Sequence, residues 1–191
     1  CIRDSTGTIS ATDADDSAFT YTGDATGTYG SIAVASDGAW TYTLNNADAD
    51  TTALDSTDSV TDAFTMTVSD GDASDTMTVT ITVTGANDAP DAGSNAVGAV
   101  TEDATATTAT GTISATDADD SAFTYTGDAT GTYGSIAVAS DGAWTYTLNN
   151  ADADTTALDS GDSVTDAFTM TVSDGDASDT MTVTITVTGS N

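Results

Sequence analysis

The stretch FTMTVSDGDASDTMTVTITVTG at residues 64–85 decides the fold class. Its apolar residues fall at every second position, and threonine fills most of the positions between them. They are Phe64, Met66, Val68, Met77, Val79, Ile81 and Val83. A period of two is typical of strands with one buried face, and the SDGDAS segment at 69–74 is a typical turn. The stretch therefore predicts an antiparallel hairpin whose outer face carries β-branched side chains.

The same alternation extends through most of the preceding chain. AWTYTLN at 39–45 and GSIAVA at 30–35 predict two strands joined by a turn at SDG, and GTISATD at 7–13 and AFTYTG at 18–23 predict two more. ADADTTALDS at 47–56 breaks the alternation and is expected to be a loop or a short helical turn. With a leading strand at AVGAV, residues 96–100, each domain is expected to have about seven strands in an immunoglobulin-like β-sandwich.

An internal repeat sets the domain organisation. Residues 7–87 return at 111–191 with two differences, Thr57 against Gly161 and Ala86 against Ser190. A period of 104 residues matches one small domain per copy. The sequence therefore predicts an all-β protein with a first domain at 1–86, a linker at 87–90 and a second domain at 91–191.

The first six residues, CIRDST, differ from TATTAT at the corresponding place in the second copy, and they carry the only cysteine and the only basic residue. We interpret them as an altered or foreign end, with the leading strand of the first domain missing. Cys1 is then an end remnant rather than a reactive thiol, which would need a basic neighbour or a helix terminus.

The net charge narrows the function. The chain has 31 acidic residues, one basic residue and no histidine, for a formal charge of −30. Such a polyanion is not expected to bind nucleic acid or anionic membrane surfaces. An enzyme is also not expected, because only paired carboxylates could serve as a catalytic group here. No apolar run is long enough to span a bilayer, and any secretion signal is expected to lie outside this sequence.

The aspartates are clustered rather than scattered. ATDADD occurs at 11–16 and again at 115–120, at the predicted ends of strands. Carboxylates packed so closely repel each other unless a cation neutralises them, and Ca²⁺ takes about 6–8 oxygen ligands of this kind. Acidic residues that only solvate the surface would not need to gather at strand ends and in the linker. The pattern therefore predicts calcium binding.

The ordered motifs TISATDADD, ALDS, FTMTVSDGD and TVTITVTGANDAP resemble those of cadherin repeats. The DGAWTYTL hairpin also resembles bacterial repeats of the VCBS and RTX-adhesin type. Near-identical tandem copies of 104 residues are most similar to the extender repeats of a giant marine ice-adhesion RTX adhesin. The resemblance covers the chain except residues 1–6.

The resemblance implies calcium ligands in the linker, in the second ATDADD motif, at the end of the strand TMTVSD and at the base of the first domain. These residues are Asn87, Asp88, Asp117, Asp119, Asp174 and Asp55. It implies an incomplete site at the tip of the first domain, formed by Asp13, Asp15 and Asp70. Glu102 corresponds to the leading-strand glutamate of the family and is expected at the far end of the second domain.

The sequence departs from the family pattern in the linker. Gly85 and Ala89 stand where cadherins have a ligand, and Thr57 or Gly161 replaces the second acid of the L-D segment. The linker is therefore expected to hold fewer ions than a cadherin linker.

A further ion site inside each repeat stays open. Asn46, Asp48 and Asp50 have the spacing of the start of an EF-hand loop, but Thr51 replaces the required glycine and no glutamate stands at position 57.

Together these features predict a calcium-rigidified extender, or spacer, of a large adhesin on the bacterial cell surface. It is expected to be a monomeric extracellular rod that contacts calcium and neighbouring repeats of the same chain. The alternative is a homophilic or ligand-binding adhesion module that uses the sandwich face. Ice binding by the threonine ladders is disfavoured, because sandwich sheets twist and an ice-binding array must be flat. A carbohydrate platform is also disfavoured, because Trp40, Tyr42 and Phe64 alternate with threonine as core residues do.

Overall fold

The computed structural model describes residues 4–15 and 17–190. The chain forms two compact units, Cys1–Asn87 and Asp88–Asn191, which we call the first and second unit. Both are built mainly from antiparallel strands with almost no helix, which confirms the prediction of an all-β protein with two sandwich domains. No helix in the described part of the chain is long and apolar enough to cross a membrane.

Within residues 4–15 and 17–87, the first unit has seven strands and one short helix. They are β1 (Ser5–Thr8), β2 (Thr20–Thr22), β3 (Ala25–Thr26), β4 (Gly30–Val34), β5 (Ala39–Leu44), α1 (Ala49–Thr52), β6 (Ser59–Ser69) and β7 (Ser74–Thr84). One sheet has the order β1-β5-β4-β3 and the other has the order β2-β6-β7. Strand β7 therefore lies at an edge.

The second unit has eight strands in its described part, residues 88–190. They are β8 (Ala96–Thr101), β9 (Thr108–Thr112), β10 (Thr124–Thr126), β11 (Ala129–Thr130), β12 (Gly134–Val138), β13 (Ala143–Leu148), β14 (Ser163–Ser173) and β15 (Ser178–Thr188). Its sheets have the orders β11-β12-β13-β9 and β10-β14-β15-β8. The predicted leading strand is β8, which pairs in parallel with β15 and has no counterpart among the described residues of the first unit.

The predicted hairpin is the long pair β6–β7, in which Ser69 pairs with Ser74 and Ser59 pairs with Thr84. Its inward side chains join those of the other sheet in one core. The rings of Tyr42 and Phe64 pack there with centroids 5.9 Å apart. These aromatic residues are part of the core, as the alternation predicted.

Two local predictions need correction. The strand expected at 7–13 ends at Thr8, because the N–H of Ile9 already donates to the carbonyl of Gly38 in the neighbouring turn. Ser5 and Thr6, which we interpreted as part of a foreign end, pair with Tyr42 and Thr41 as regular residues of β1. Cys1 and Arg3 lie outside the described residues, as does Asp16.

Candidate metal centre

The second ATDADD motif forms a tight carboxylate turn in the second unit. The N–H of Asp119 donates to Asp117 Oδ1 at 3.0 Å, and the N–H of Asp88 donates to Asp119 Oδ2 at 3.1 Å. Both aspartates are half-buried. Asp117 Oδ2 and Asp119 Oδ1 are fully buried and have no hydrogen-bond partner. Buried oxygens of this kind need compensation, and a cation would supply it.

The two carboxyl groups influence each other's ionisation. Burial and the hydrogen bond with Asp117 raise the pKa of Asp119 to about 6. Burial would also raise the pKa of Asp117, but hydrogen bonds from Asp119 and from nearby backbone N–H groups outweigh it and hold that pKa below its usual value. Such a pair titrates as a unit, and a bound cation would favour the ionised form of both carboxyl groups.

Asp174 ends β14 and organises the turn that follows. Its Oδ1 accepts hydrogen bonds from the N–H groups of Asp176 at 2.7 Å and Ala177 at 2.6 Å. In the first unit Asp70 has the same role, and these bonds, led by the one from Ala73, hold its pKa below its usual value. The charge of Asp13 acts against that shift. The strand end and the D-x-D motif are thus close enough to interact electrostatically.

The tip of the first unit has the same turn in a more open setting. The N–H of Asp15 donates to Asp13 Oδ1 at 3.0 Å, as in the second unit. Both aspartates are exposed here. The motif alone is therefore enough to form the turn. The burial of the carboxylate oxygens depends on the surrounding residues as well.

Glu102 lies at the opposite end of the second unit. It follows β8, and its N–H donates to the carbonyl of Thr188, the last residue of β15. The side chain is 2% exposed, and its Oε2 is buried without a hydrogen-bond partner. Asp162 is at the same end, because its carbonyl accepts the N–H of Gly189. A buried carboxylate oxygen without a partner is costly. This end of the second unit therefore also has an oxygen ligand suited to a hard cation.

Asp55 lies at the base of the first unit. Its Oδ1 accepts hydrogen bonds from the hydroxyl and the N–H of Thr57, which hold its pKa below its usual value. The end of the unit packs beside it: a Cβ on Gly85 would lie 2.0 Å from the Asp55 carbonyl oxygen. Position 85 therefore has no room for the aspartate that cadherins carry there. This explains one departure that the sequence analysis noted.

The remaining predicted ligands have simpler surroundings. Asp48 is the N-cap of α1, and its side chain accepts the N–H of Asp50 at 3.0 Å. Capping alone accounts for the spacing of that pair. Asn87 is half-buried at the end of the first unit. Among residues 4–15 and 17–190, no group of three or more acidic, cysteine or histidine side chains is gathered as for one ion.

Sequence reasoning missed one buried carboxylate in each unit. Asp62 is 4% exposed and accepts hydrogen bonds from three backbone N–H groups and from the Tyr42 hydroxyl, the last at 2.8 Å. Asp166 accepts the Tyr146 hydroxyl in the same way. The signal was available, because Asp62 has the same parity as Phe64 on β6 and so faces inward. With all these donors, the Asp62 carboxyl group is a structural hydrogen-bond acceptor rather than a cation ligand.

A family comparison decides what kind of domain this is. The bacterial cadherin-like domain matches twice, at residues 3–85 and 87–189. The chain belongs to this family. Cadherin-like domains are typically adhesion-related extracellular modules without enzymatic activity, and they commonly bind calcium.

One solved structure agrees on the fold, and a second aligns at a lower score. PcdhgB3 EC1-4 is 16% identical, with a TM-score of 0.52, and the match covers 98% of this chain and 46% of that one. Protocadherin Gamma B2 extracellular cadherin domains 3-6 is 13% identical, with a TM-score of 0.49, over 91% of this chain and 41% of that one. The chain thus spans less than half the length of these cadherins. No curated protein matches the chain in sequence.

An endo-fucoidan hydrolase, MfFcnA4_H294Q from glycoside hydrolase family 107, also aligns. It is 19% identical with a TM-score of 0.36, and the match covers 91% of this chain and 24% of that one. So low a score gives no argument for a glycoside hydrolase activity here.

Proposed function

We propose that the chain is a pair of calcium-stiffened spacer repeats from a large adhesin on a bacterial cell surface. In this proposal Ca²⁺ is held by the linker residues Asn87 and Asp88 and by the carboxylates of the adjoining domain ends. The repeats hold a distal adhesive region away from the cell. An extender of an RTX adhesin with an ice-binding region elsewhere in the protein is the specific form that we favour.

The observation that carries the proposal is the set of buried carboxylate oxygens without hydrogen-bond partners. Asp117 and Asp119 each have one at one end of the second unit, and Glu102 has one at the other end. A cation bound at each end would compensate these oxygens. Each domain in a row of tandem repeats takes part in one junction at each end, so cation ligands are needed at both ends.

The near-identity of the two copies supports a spacer. Residues 7–87 and 111–191 differ at two positions, so the copies offer no surfaces with separate specificities. A spacer contributes length, which identical copies supply equally well. The formal charge of −30 also disfavours self-association.

Calcium removal tests the proposal directly. Extracellular calcium modules bind at about 10⁻⁴–10⁻³ M, and a site at 100 times its Kd adds about 2.7 kcal/mol to the free energy of unfolding. We expect the melting temperature in millimolar Ca²⁺ to exceed that in chelator. In small-angle scattering we also expect the maximum dimension to fall when Ca²⁺ is removed. Identical melts would refute calcium binding, and an unchanged dimension would refute stiffening alone.

The competing proposal is an adhesion module that binds through the sandwich face. In the described residues the exposed large hydrophobic side chains are Met77 and Val97, and two isolated side chains do not form an adhesive patch. Sedimentation velocity in millimolar Ca²⁺ separates the two proposals. A spacer is expected to remain a monomer, whereas a stable dimer would favour the adhesive module.

A further inference from the structure

An aspartate stands at an inward-facing position near the start of the last strand of the second unit. Asp179 is the second residue of β15 and has the same parity as the buried Met181 and Val183. It is half-buried there and pairs with Val172, two residues before the predicted ligand Asp174. A carboxylate at such a position needs hydrogen-bond donors, so the groups that donate to it indicate its role.

The main donor to Asp179 comes from the segment that follows the first unit. Asp179 Oδ2 accepts the N–H of Ala92 at 3.0 Å. Pro90 is buried and Ala92 is 1% exposed, so this segment, residues 88–92, is packed against the second unit; we call it the strap. The bond from Ala92, followed by one from the N–H of Thr180, holds the pKa of Asp179 below its usual value, although burial acts against both. Asp179 is therefore an ionised side chain bonded to the backbone of the strap.

The strap is also bonded to the loop that carries the D-x-D motif. Asp91 exchanges two backbone hydrogen bonds, of 2.8 and 3.1 Å, with Thr116, the residue that precedes Asp117. The N–H of Asp88 donates to Asp119 Oδ2 at 3.1 Å. This loop follows β9 in one sheet, whereas β15 belongs to the other sheet. The strap is thus bonded to elements of both sheets of the second unit.

We propose that Asp179 is a positioning residue for the calcium site of the linker. Through the N–H of Ala92 it holds the strap, and with it Asp88, beside both the D-x-D motif and the turn that begins at Asp174. This inference rests on the proposed function, because it assigns a role in the same calcium site. Asp179 is not itself offered as a ligand, since its Oδ2 already accepts a backbone hydrogen bond.

Loss of this bond is expected to affect the site more than the fold. Without Asp179 the strap keeps its bonds to the loop at 116–119 but loses its bond to β15. The position of Asp88 relative to Asp174 would then depend on the loop alone, and a cation would have to order the strap as it binds, which lowers affinity. The six residue pairs between β8 and β15 do not involve Asp179 and remain.

The test is a calcium titration of the whole 191-residue chain, read by hydrogen exchange with mass spectrometry. The sequence of residues 88–101 occurs once in the chain, so its peptides report on the linker site without ambiguity. We expect Asp179→Ala to raise the Ca²⁺ concentration at the midpoint of protection by at least about tenfold, equivalent to about 1.4 kcal/mol. Asp179→Asn removes the same charge but keeps an acceptor oxygen, so we expect a rise of less than about threefold. If Asp179→Ala does not fold, Asp179→Leu takes its place.

An Asp88→Asn background separates positioning from a merely structural role. If Asp179 acts through the strap, Asp179→Ala should raise the midpoint by less than about threefold once the Asp88 carboxylate is gone. Equal midpoints for the unsubstituted protein and Asp179→Ala would overturn the positioning role and leave calcium binding intact. Equal rises for Asp179→Asn and Asp179→Ala, or a full tenfold rise in the Asp88→Asn background, would overturn it too. Absence of calcium-dependent protection in the unsubstituted protein would overturn the proposed calcium site and this role with it.

Discussion

The two units have almost the same sequence but not the same core. Met77 is 45% exposed, whereas its counterpart Met181 is 4% exposed. Trp40 is half-buried, whereas Trp144 is 2% exposed. The difference follows from the Asp91–Thr101 segment, which covers the last strand of the second unit and has no counterpart in the described first unit. The leading segment thus accounts for the additional burial in the second unit.

The comparison extends to the acidic tips. Asp15 and Asp119 make the same turn, but Asp15 is exposed and Asp119 is half-buried with a raised pKa. Two neighbouring carboxylates are destabilised most where burial removes water from them, and a bound cation then stabilises them most. The motif supplies the ligands, and the setting determines how much calcium would stabilise them.

The largest effect is expected where the units are alike. Asp62→Ala and Asp166→Ala each leave buried backbone donors and a tyrosine hydroxyl without an acceptor. Each should lower the free energy of unfolding of its own unit by about 3 kcal/mol or more. Urea unfolding in Trp40→Phe and Trp144→Phe backgrounds reports each unit through its remaining tryptophan. Costs that differ by more than about 1 kcal/mol would mean that the frameworks are not equivalent.

A methionine pair measures the difference between the cores. Met181→Ala should cost about 2–5 kcal/mol, as is usual for a buried methionine, whereas Met77→Ala should cost less than about 1 kcal/mol because the side chain is largely exposed. The same single-tryptophan backgrounds serve for the measurement. Equal costs would contradict the assignment of the extra burial to the leading segment.

The acidic tips provide a smaller, calcium-dependent contrast. Asp119→Asn should weaken calcium binding by about tenfold, equivalent to about 1.4 kcal/mol, since it removes one charge from a half-buried ligand pair. Asp15→Asn should weaken it by less than about threefold, because the exposed pair remains hydrated. Titration calorimetry with Ca²⁺ on the two variants makes the comparison. A larger loss for Asp15→Asn would reverse the predicted order of the sites.

The smallest effect is expected at Gly161, one of the two differences between the repeated segments. Gly161 has φ +102°, a left-handed conformation, whereas Thr57 donates two hydrogen bonds to Asp55 from its N–H and hydroxyl. Gly161→Thr should cost about 1 kcal/mol or less, because the turn can adopt the conformation of the first copy. The melting temperature of Gly161→Thr measures this cost, and the reverse change, Thr57→Gly, is the matched comparison. A cost above about 2 kcal/mol would show that this turn cannot rearrange.

The strands could be predicted from the sequence because the alternation of apolar and polar residues shows which face of each strand is buried. Phe64, Met66 and Tyr42 all point inward as predicted, and the leading strand at 96–100 forms as β8. The same alternation also places Asp62 in the core, because it lies two positions before the buried Phe64 on β6.

The candidate sites were less predictable. The motifs locate Asp117 and Asp119 at one end of a domain, but not which of their oxygens are buried. That depends on how residues far apart in the chain pack around them. The capping role of Asp48 was also hidden, because an N-cap and the start of a metal loop share the same spacing of polar residues. Gly85 stands where cadherins have a calcium ligand, and the sequence does not show that the close approach of the Asp55 carbonyl excludes any side chain there.

The parallel pairing of β8 with β15 has a mechanical consequence. β8 lies near the beginning of the second unit and β15 at its end, so tension applied to the two ends pulls these strands in opposite directions along their length. Six residue pairs, from Val183 with Ala96 to Thr188 with Thr101, then bear the load in shear and must break together. Forced unfolding is governed by the unfolding rate rather than by equilibrium stability. The leading strand is thus a clamp against pulling, and a unit whose last strand lacks this partner should yield at lower force.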